Sequence, residues 1–254
     1  MRLLRNLSVN TMQIHAHVSH VSSTAILSAR VHEEQPTDIQ HLALVNGDNS
    51  QSMDVSGGLQ VLNDVYPKFI SDMRRDSTIR SSVLMAFGSF GSTEPLKIAA
   101  PFTCVDDLSP PQLAITNHSS ICSRLIDSCN LLIAGNKLVR RALNVHQRKS
   151  WLIEMSDGHA TDLEREAEAR KAMHETAPQN GIETFFFGVG PNANMDFLNS
   201  IAQPGRPAEL LDDKKDFAAL FAWLKKSLRA VSASGQGQVL EIPSVKGNLI
   251  RTQE

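Results

Sequence analysis

The stretch Asp48-Asn49-Ser50-Gln51-Ser52-Met53 puts a carboxylate and two hydroxyls on alternate residues, and two distant pieces, Ser119 and Ser156-Asp157-Gly158, carry the same ligand types. Hard oxygen donors of this kind suit a small divalent cation, Mg²⁺ or Mn²⁺. Mg²⁺ takes six oxygens and sheds water reluctantly, so a few protein ligands plus waters leave a position that an outside carboxylate can fill. The expected metal ligands are Asp48, Ser50, Ser52, Ser119 and Asp157.

Short polar patterns arise in any loop, so the elements around them decide what they mean. Before Asp48 runs His41–Val45, an apolar stretch with strand character; after it Gly57-Gly58 lead into Leu59, Leu62, Tyr66, Phe69 and Met73 at helical spacing. Before Asp157 runs Trp151–Met155, again strand-like, and Thr161 or Asp162 is placed to cap a charged helix over Leu163–Glu175. Both aspartates thus follow a strand and precede a helix. In open α/β sheets ligands sit beyond the carboxyl ends of parallel strands, where both would fall.

With those elements in place the chain resembles the von Willebrand factor A (vWA) family over residues 38–232, and through Ala86-Phe87-Gly88, Ala100-Pro101-Phe102-Thr103 and Pro110-Pro111-Gln112-Leu113 it resembles a bacterial intracellular branch similar to tellurite-resistance-associated proteins. Asp48, Ser50 and Ser52 match the family's D-x-S-x-S motif, Asp157 matches its distant aspartate, and Ser119 stands where its threonine would. The resemblance implies a doubly wound, mostly parallel α/β sheet with helices on both faces. It also implies a metal-ion-dependent adhesion site (MIDAS) that recruits a partner's Asp or Glu. Kinases, phosphatases and AAA+ ATPases of a bacterial stress-response system are the partners it brings to mind. Departures are Asn46-Gly47 at the end of the first strand, Gln51 for a glycine, and Asn117-His118 for two glycines. The bland alternatives are a site without metal, or residues that only cap turns and helices.

The rest of the chain alternates accordingly. Ser82–Phe87 and Leu96–Ala100 read as strands joined by a hairpin over Gly88–Glu94, and Ile182–Val189 as a buried strand. A long helix begins at Ile121 and is expected to break near Gly135-Asn136. Asn194–Ala202 reads as a short helix, Ala208–Leu211 as an edge strand, and Phe217 to Leu228 as a closing amphipathic helix.

The ends fall outside this pattern. Residues 1–37 form an extension, with Met12–Val18 and Thr24–Val31 as a β-hairpin turning at Ser22-Ser23; His15, His17 and His20 read as exposed histidines ahead of a zinc site. Residues 233–254, rich in Gly, Ser and Gln, read as a flexible tail whose one apolar run is Val239–Ile242.

A chain of 254 residues with 41% hydrophobic residues can bury a sizeable core, and a net charge of −2 with mixed signs disfavours a nucleic-acid surface. Three cysteines without zinc spacing, no apolar run of membrane length and no secretory leader point to a cytoplasmic protein with no membrane partner. No phosphate-binding glycine loop or nucleophile elbow is present, so a binding module is expected rather than an enzyme. The alternative is a metal-dependent phosphohydrolase using Asp48, with His118 or His159 as base.

Overall fold

The computed structural model describes residues 12–16, 25–29, 39–55, 57–89, 96–143, 146–234, 239–245 and 249–253. A hairpin pair, β1 (Met12–Ala16) and β2 (Ala25–Ala29), comes first, antiparallel with Met12 opposite Ala29. There follow β3 (Ile39–Gly47), α1 (Gln51–Val55), α2 (Gly58–Arg74), α3 (Ser77–Ser82), β4 (Val83–Ser89), β5 (Lys97–Cys104) and α4 (Ile121–Leu143). Next are β6 (His146–Gln147), β7 (Ser150–Ser156), α5 (Glu166–Lys171), α6 (Ala177–Gln179), β8 (Ile182–Val189), α7 (Met195–Ile201), β9 (Glu209–Leu211) and α8 (Lys214–Ala233), with β10 (Val239–Pro243) and β11 (Leu249–Gln253) last.

The main sheet runs β5-β4-β3-β7-β8-β9, with β6 also pairing β3. All its pairings are parallel except β4 with β5. β7 and residues 41–47 of β3 are central and buried, as strands covered on both faces of a parallel sheet are, polar side chains included. Alternation then divides the core in two. Val45, Tyr66, Phe87, Trp151, Phe187 and Phe221 pack between the sheet and α2 with α8. Leu42, Leu44, Leu84, Ile126, Leu152 and Phe186 pack on the other face, under α4. Each such side chain contributes roughly 1.5–3 kcal/mol when fully buried. This is the doubly wound architecture expected from the sequence.

Four local expectations change. α4 runs unbroken through Gly135 and Asn136. A Cβ at Gly135 would sit 3.1 Å from Leu42 Cδ1, so the glycine permits close helix–sheet approach rather than a break. Asn136 is fixed by tertiary bonds, accepting from Ser150 Oγ at 2.5 Å and donating to Asn180 O at 3.4 Å. The helix expected over Leu163–Glu175 divides into a 3₁₀ turn at Leu163–Arg165, α5, a π turn at Ala172–Thr176 and α6. Pro178 lacks the N–H that an α-helix would direct at residue 174, which loosens the ladder just before it. Asp162 does not cap this segment with its side chain; its carboxylate accepts instead from Cys122 N at 3.1 Å and Ser123 N at 2.7 Å, capping α4. Finally, the tail holds an antiparallel pair, β10 with β11, and Val245 packs against the core and donates its N–H to Glu209 Oε1 at 3.3 Å.

His17, His20, the turn at Ser22-Ser23 and most of the connection expected at Gly88–Glu94 lie outside the described residues. Among the described residues no helix is long and apolar enough to cross a membrane. Cys104, Cys122 and Cys129 are buried and form no disulfide among the described residues.

Candidate functional site

β3 and β7 end side by side, with Gly47 opposite Met155, so the next residues of both chains emerge together at the carboxyl edge of the sheet. The turn after β3 is held down by Asp48 N donating to Met155 O at 2.8 Å. It is also strapped to the loop before α4, because Thr116 N donates to Asn49 O at 2.8 Å and Asn49 Nδ2 donates to Ala114 O at 2.5 Å. That loop brings Ser119 to the same place. Thr161 N donates to Ser119 O at 2.8 Å, tying in the loop after β7.

Asp48 is the centre of what results. It is 0% exposed and both its oxygens are engaged. Oδ1 accepts from Ser50 N at 2.8 Å; Oδ2 accepts from Ser156 Oγ at 2.7 Å and Ser119 Oγ at 3.2 Å. Ser50 Oγ lies 3.0 Å from Ser52 Oγ, with Ser50 buried and Ser52 exposed. Asp157 is buried, and its Oδ1 accepts from His159 N at 3.0 Å. The loop after it is tight: Gly158 has φ +75°, and a Cβ there would stand 2.8 Å from Asn194 O. Burial, opposed by the Ser156 and Ser50 hydrogen bonds and reinforced by the Asp157 charge, pushes the Asp48 carboxyl up to about 6.

The structure therefore brings Asp48, Ser50, Ser52, Ser119 and Asp157, named from sequence, to one end of the sheet on three loops. Among the described residues no group of three or more His, Cys, Asp and Glu is arranged to hold a metal, so this donor set is a mixed one of two carboxylates and three hydroxyls. Its chemistry fits a hard divalent cation. A positive charge near Asp48 and Asp157 would also remove the like-charge repulsion and offset the burial that keep Asp48 protonated at mild acidity. His118 is exposed. His159 is exposed as well, with Nε2 3.1 Å from Asn192 O.

Two features were not foreseen. The role of Ser156, named in the sequence with Asp157 and Gly158 but not among the ligands, is one; its hydroxyl donates to Asp48 and accepts from Gly158 N at 3.0 Å, bridging the two aspartate loops. The usable signal was parity: Ser156 lies two residues beyond Glu154 and so shares its face of β7. The second is a buried polar layer one step down the strands. Asn46 and Glu154 are opposite each other in register, and Asn46 Nδ2 donates to Glu154 Oε1 at 2.7 Å and Ser128 Oγ at 2.8 Å. Burial and the Asp48 charge push the Glu154 carboxyl up to about 8, against the Asn46 hydrogen bond.

No protein-family model matches the sequence, and no curated protein matches it. Solved structures similar to it include the pilus adhesin SpaC from Lactobacillus rhamnosus GG, at 11% identity over 91% of this chain and 38% of that one, with a TM-score of 0.53. Proximal thread matrix protein 1 from the mussel byssus is similar at 17% identity over 75% of this chain, with a TM-score of 0.49, and the chain spans about half of it, 48%. The mussel protein has also been solved with a zinc-occupied MIDAS motif. Manganese-loaded TRAP protein from Plasmodium vivax is similar at 17% identity over 85% of this chain and 76% of that one, with a TM-score of 0.49. At such identities the likeness speaks for the fold alone, and that fold is a doubly wound α/β sheet.

Proposed function

We propose that this chain is a protein-binding module in which Asp48, Ser50, Ser52, Ser119 and Asp157 hold Mg²⁺ or Mn²⁺, directly or through water, to capture a partner's Asp or Glu. The observation that carries this reading is the convergence of three separate loops on Asp48, a fully buried carboxylate with two hydroxyl donors from loops 71 and 108 residues away. When bound, the cation supplies an electrophilic position that an outside carboxylate can fill. The chain's own residues do the rest. Ser156 and Ser119 fix the Asp48 carboxylate, and the Asp157 loop is fixed by His159 N and by Asn194 N donating to Asp157 O at 2.8 Å. Two carboxylates against a dipositive ion leave little net charge, so an added carboxylate is accepted electrostatically.

The phosphohydrolase alternative needs Asp48 as a nucleophile. Its 0% exposure and two engaged oxygens favour the binding role instead. On the resemblance to intracellular bacterial vWA proteins we further propose a cytoplasmic adaptor in a bacterial stress-response system, with a kinase, phosphatase or AAA+ ATPase as partner.

Calorimetry with Mg²⁺ and Mn²⁺ tests the reading. One site is expected in the wild type, abolished in Asp48→Ala and weakened in Ser119→Ala. Absence of binding to either ion at millimolar concentration overturns it, and sustained phosphate-ester hydrolysis lost in Asp48→Asn promotes the alternative.

A further inference from the structure

At the amino edge of the sheet, the end away from Asp48, the turn before β7, the start of β8 and the loop after α7 enclose a cavity of about 540 Å³ lined by Lys149, His174, Glu183 and Arg206. Sites for small organic molecules have roughly 300–1,000 Å³ of such space, with apolar walls and a few convergent polar groups. The apolar wall here is Pro178, Ile182 and Pro204. Gly181 and Gly205 also line the cavity, and a Cβ at either would meet nothing within 4 Å, so the wall stands clear there.

The polar side is held by several contacts. Glu183 is the second residue of β8, its side chain is 7% exposed, and it stands between two cations. Lys149 Nζ donates to its Oε1 at 3.1 Å, and Arg206 Nη2 lies 3.0 Å from its Oε2. The Arg206 side chain is 11% exposed, and its Cζ sits 4.9 Å from the centre of the Phe185 ring, which steadies the guanidinium. Gln203 ties the loop that carries Arg206 to β8, accepting from Thr184 N and donating to Ile182 O, each at 3.2 Å. His174 Nε2 is buried and has no hydrogen-bond partner among the described residues.

The charges do not cancel. Lys149 and Arg206 against Glu183 leave one positive charge in the lining, and the two cations have more N–H donors between them than one carboxylate can accept. A largely buried charge is costly unless it is matched. One further negative charge brings the lining to neutrality, and a planar carboxylate is the group that a guanidinium fits best.

We propose that this cavity is a second binding site, for a small organic acid whose single carboxylate sits on Arg206 and Lys149 and whose apolar body lies against Pro178, Ile182 and Pro204. His174 Nε2 is the partner for one further polar atom of that ligand. The site is independent of the cation reading. It shares no residue with the Asp48 loops and lies at the other end of β7, about 20 Å away at a rise of about 3.3 Å per residue.

The test uses the full chain in EDTA, so that no cation takes part, with benzoate, benzyl alcohol and phenyl phosphate as probes followed by NMR of the backbone amides. Benzoate is expected to shift the signals of Gly181, Glu183, Gly205 and Arg206 and to bind at least about tenfold tighter than benzyl alcohol, the scale of one charge-assisted hydrogen bond. Phenyl phosphate, with its second negative charge, binds more weakly than benzoate. Arg206→Gln lowers benzoate affinity at least about tenfold. Should that variant not fold, Lys149→Gln, at the more exposed of the two cations, lowers it about threefold. No benzoate binding at about 10 mM, equal affinity for benzyl alcohol, tighter binding of phenyl phosphate, shifts confined to other loops, or an affinity unchanged in the folded variants overturns the site and leaves the lining as a structural ion-pair cluster. None of these results bears on Mg²⁺ binding at Asp48, which calorimetry decides separately.

Discussion

Ser156 Oγ donates to Asp48 Oδ2 at 2.7 Å across 108 residues of chain, joining the ends of the two central strands through one hydroxyl. This bond aims a carboxylate whose other oxygen is held by the Ser50 N–H. Removing a group that orients a ligand residue typically weakens metal binding about 10–100-fold. Ser156→Ala is therefore expected to lower Mg²⁺ affinity at least about tenfold by calorimetry. Its far-ultraviolet circular dichroism should match the wild type, and unchanged affinity would remove Ser156 from the site.

The Asp48 motif and Asp157 were readable because each lies directly after an apolar run, so the sequence neighbours that make the strands also mark where the ligands emerge. Ser119 was readable only through a resemblance; no strand of its own precedes it, and its loop is fixed by Thr116 N donating to Asn49 O and by Thr161 N donating to Ser119 O. Glu154 was hidden for a different reason. In a strand buried on both faces a glutamate looks like an exposed residue, and only the register that sets it against Asn46 shows it to be buried. Asp162 read as the cap of the helix that follows it, yet it caps α4, an end brought near only by the tertiary fold.

Glu154 gives stability a pH dependence of unusual sign. Its folded pKa of about 8 lies above the ordinary 4.5, so the folded chain holds a proton that the unfolded chain releases. Stability contributed by this group is full below 4.5 and declines as pH rises toward 8. Glu154→Gln keeps the acceptor for Asn46 and removes the titration. Its melting temperature should exceed that of wild type at pH 8 and lie closer to it at pH 5; the reverse order would show that Glu154 is ionised in the fold.

His41 acts in the opposite direction. It is fully buried, edge-on to Trp151 with ring centroids 4.9 Å apart, and neither ring nitrogen has a hydrogen-bond partner. Burial first, and Arg148 second, lower its pKa from 6.5 to about 3. The unfolded chain takes up a proton below 6.5 that the folded chain refuses, so stability is lost as pH falls from 6.5 toward 3. His41→Phe should flatten this loss, seen as a smaller drop in urea midpoint between pH 7 and pH 4.5. An equal drop would assign acid sensitivity elsewhere.

Gly88 faces the same polar layer from β4. A Cβ there would stand 2.3 Å from Asn46 Oδ1, closer than any real contact, and Asn46 cannot yield without leaving Glu154 and Ser128. Gly88→Ala should destabilise by about 2 kcal/mol or more, through overpacking and a broken buried hydrogen-bond pair. Denaturant titration checks this, and a loss under about 0.5 kcal/mol, the range of an ordinary surface substitution, would mean the layer repacks freely.

The two chain ends give the last expectation. β1 and β2 form a two-stranded pair, marginal by itself in water, and it lies beside β5, the edge strand of the main sheet, and near α4. Removing residues 1–35 uncovers that edge, so a lower melting temperature or a new oligomer is expected. At the other end Ser244 is buried, Val245 packs on the core and bonds Glu209 of β9, and β10 contacts α8. Sequence alone pointed to a tail whose loss the fold would tolerate. The structure points to an end packed on the core, so deleting residues 236–254 should also lower the melting temperature, by several degrees in differential scanning calorimetry. A melting temperature unchanged by the C-terminal deletion would show that the Val245–Glu209 bond and the packing of Val245 contribute nothing.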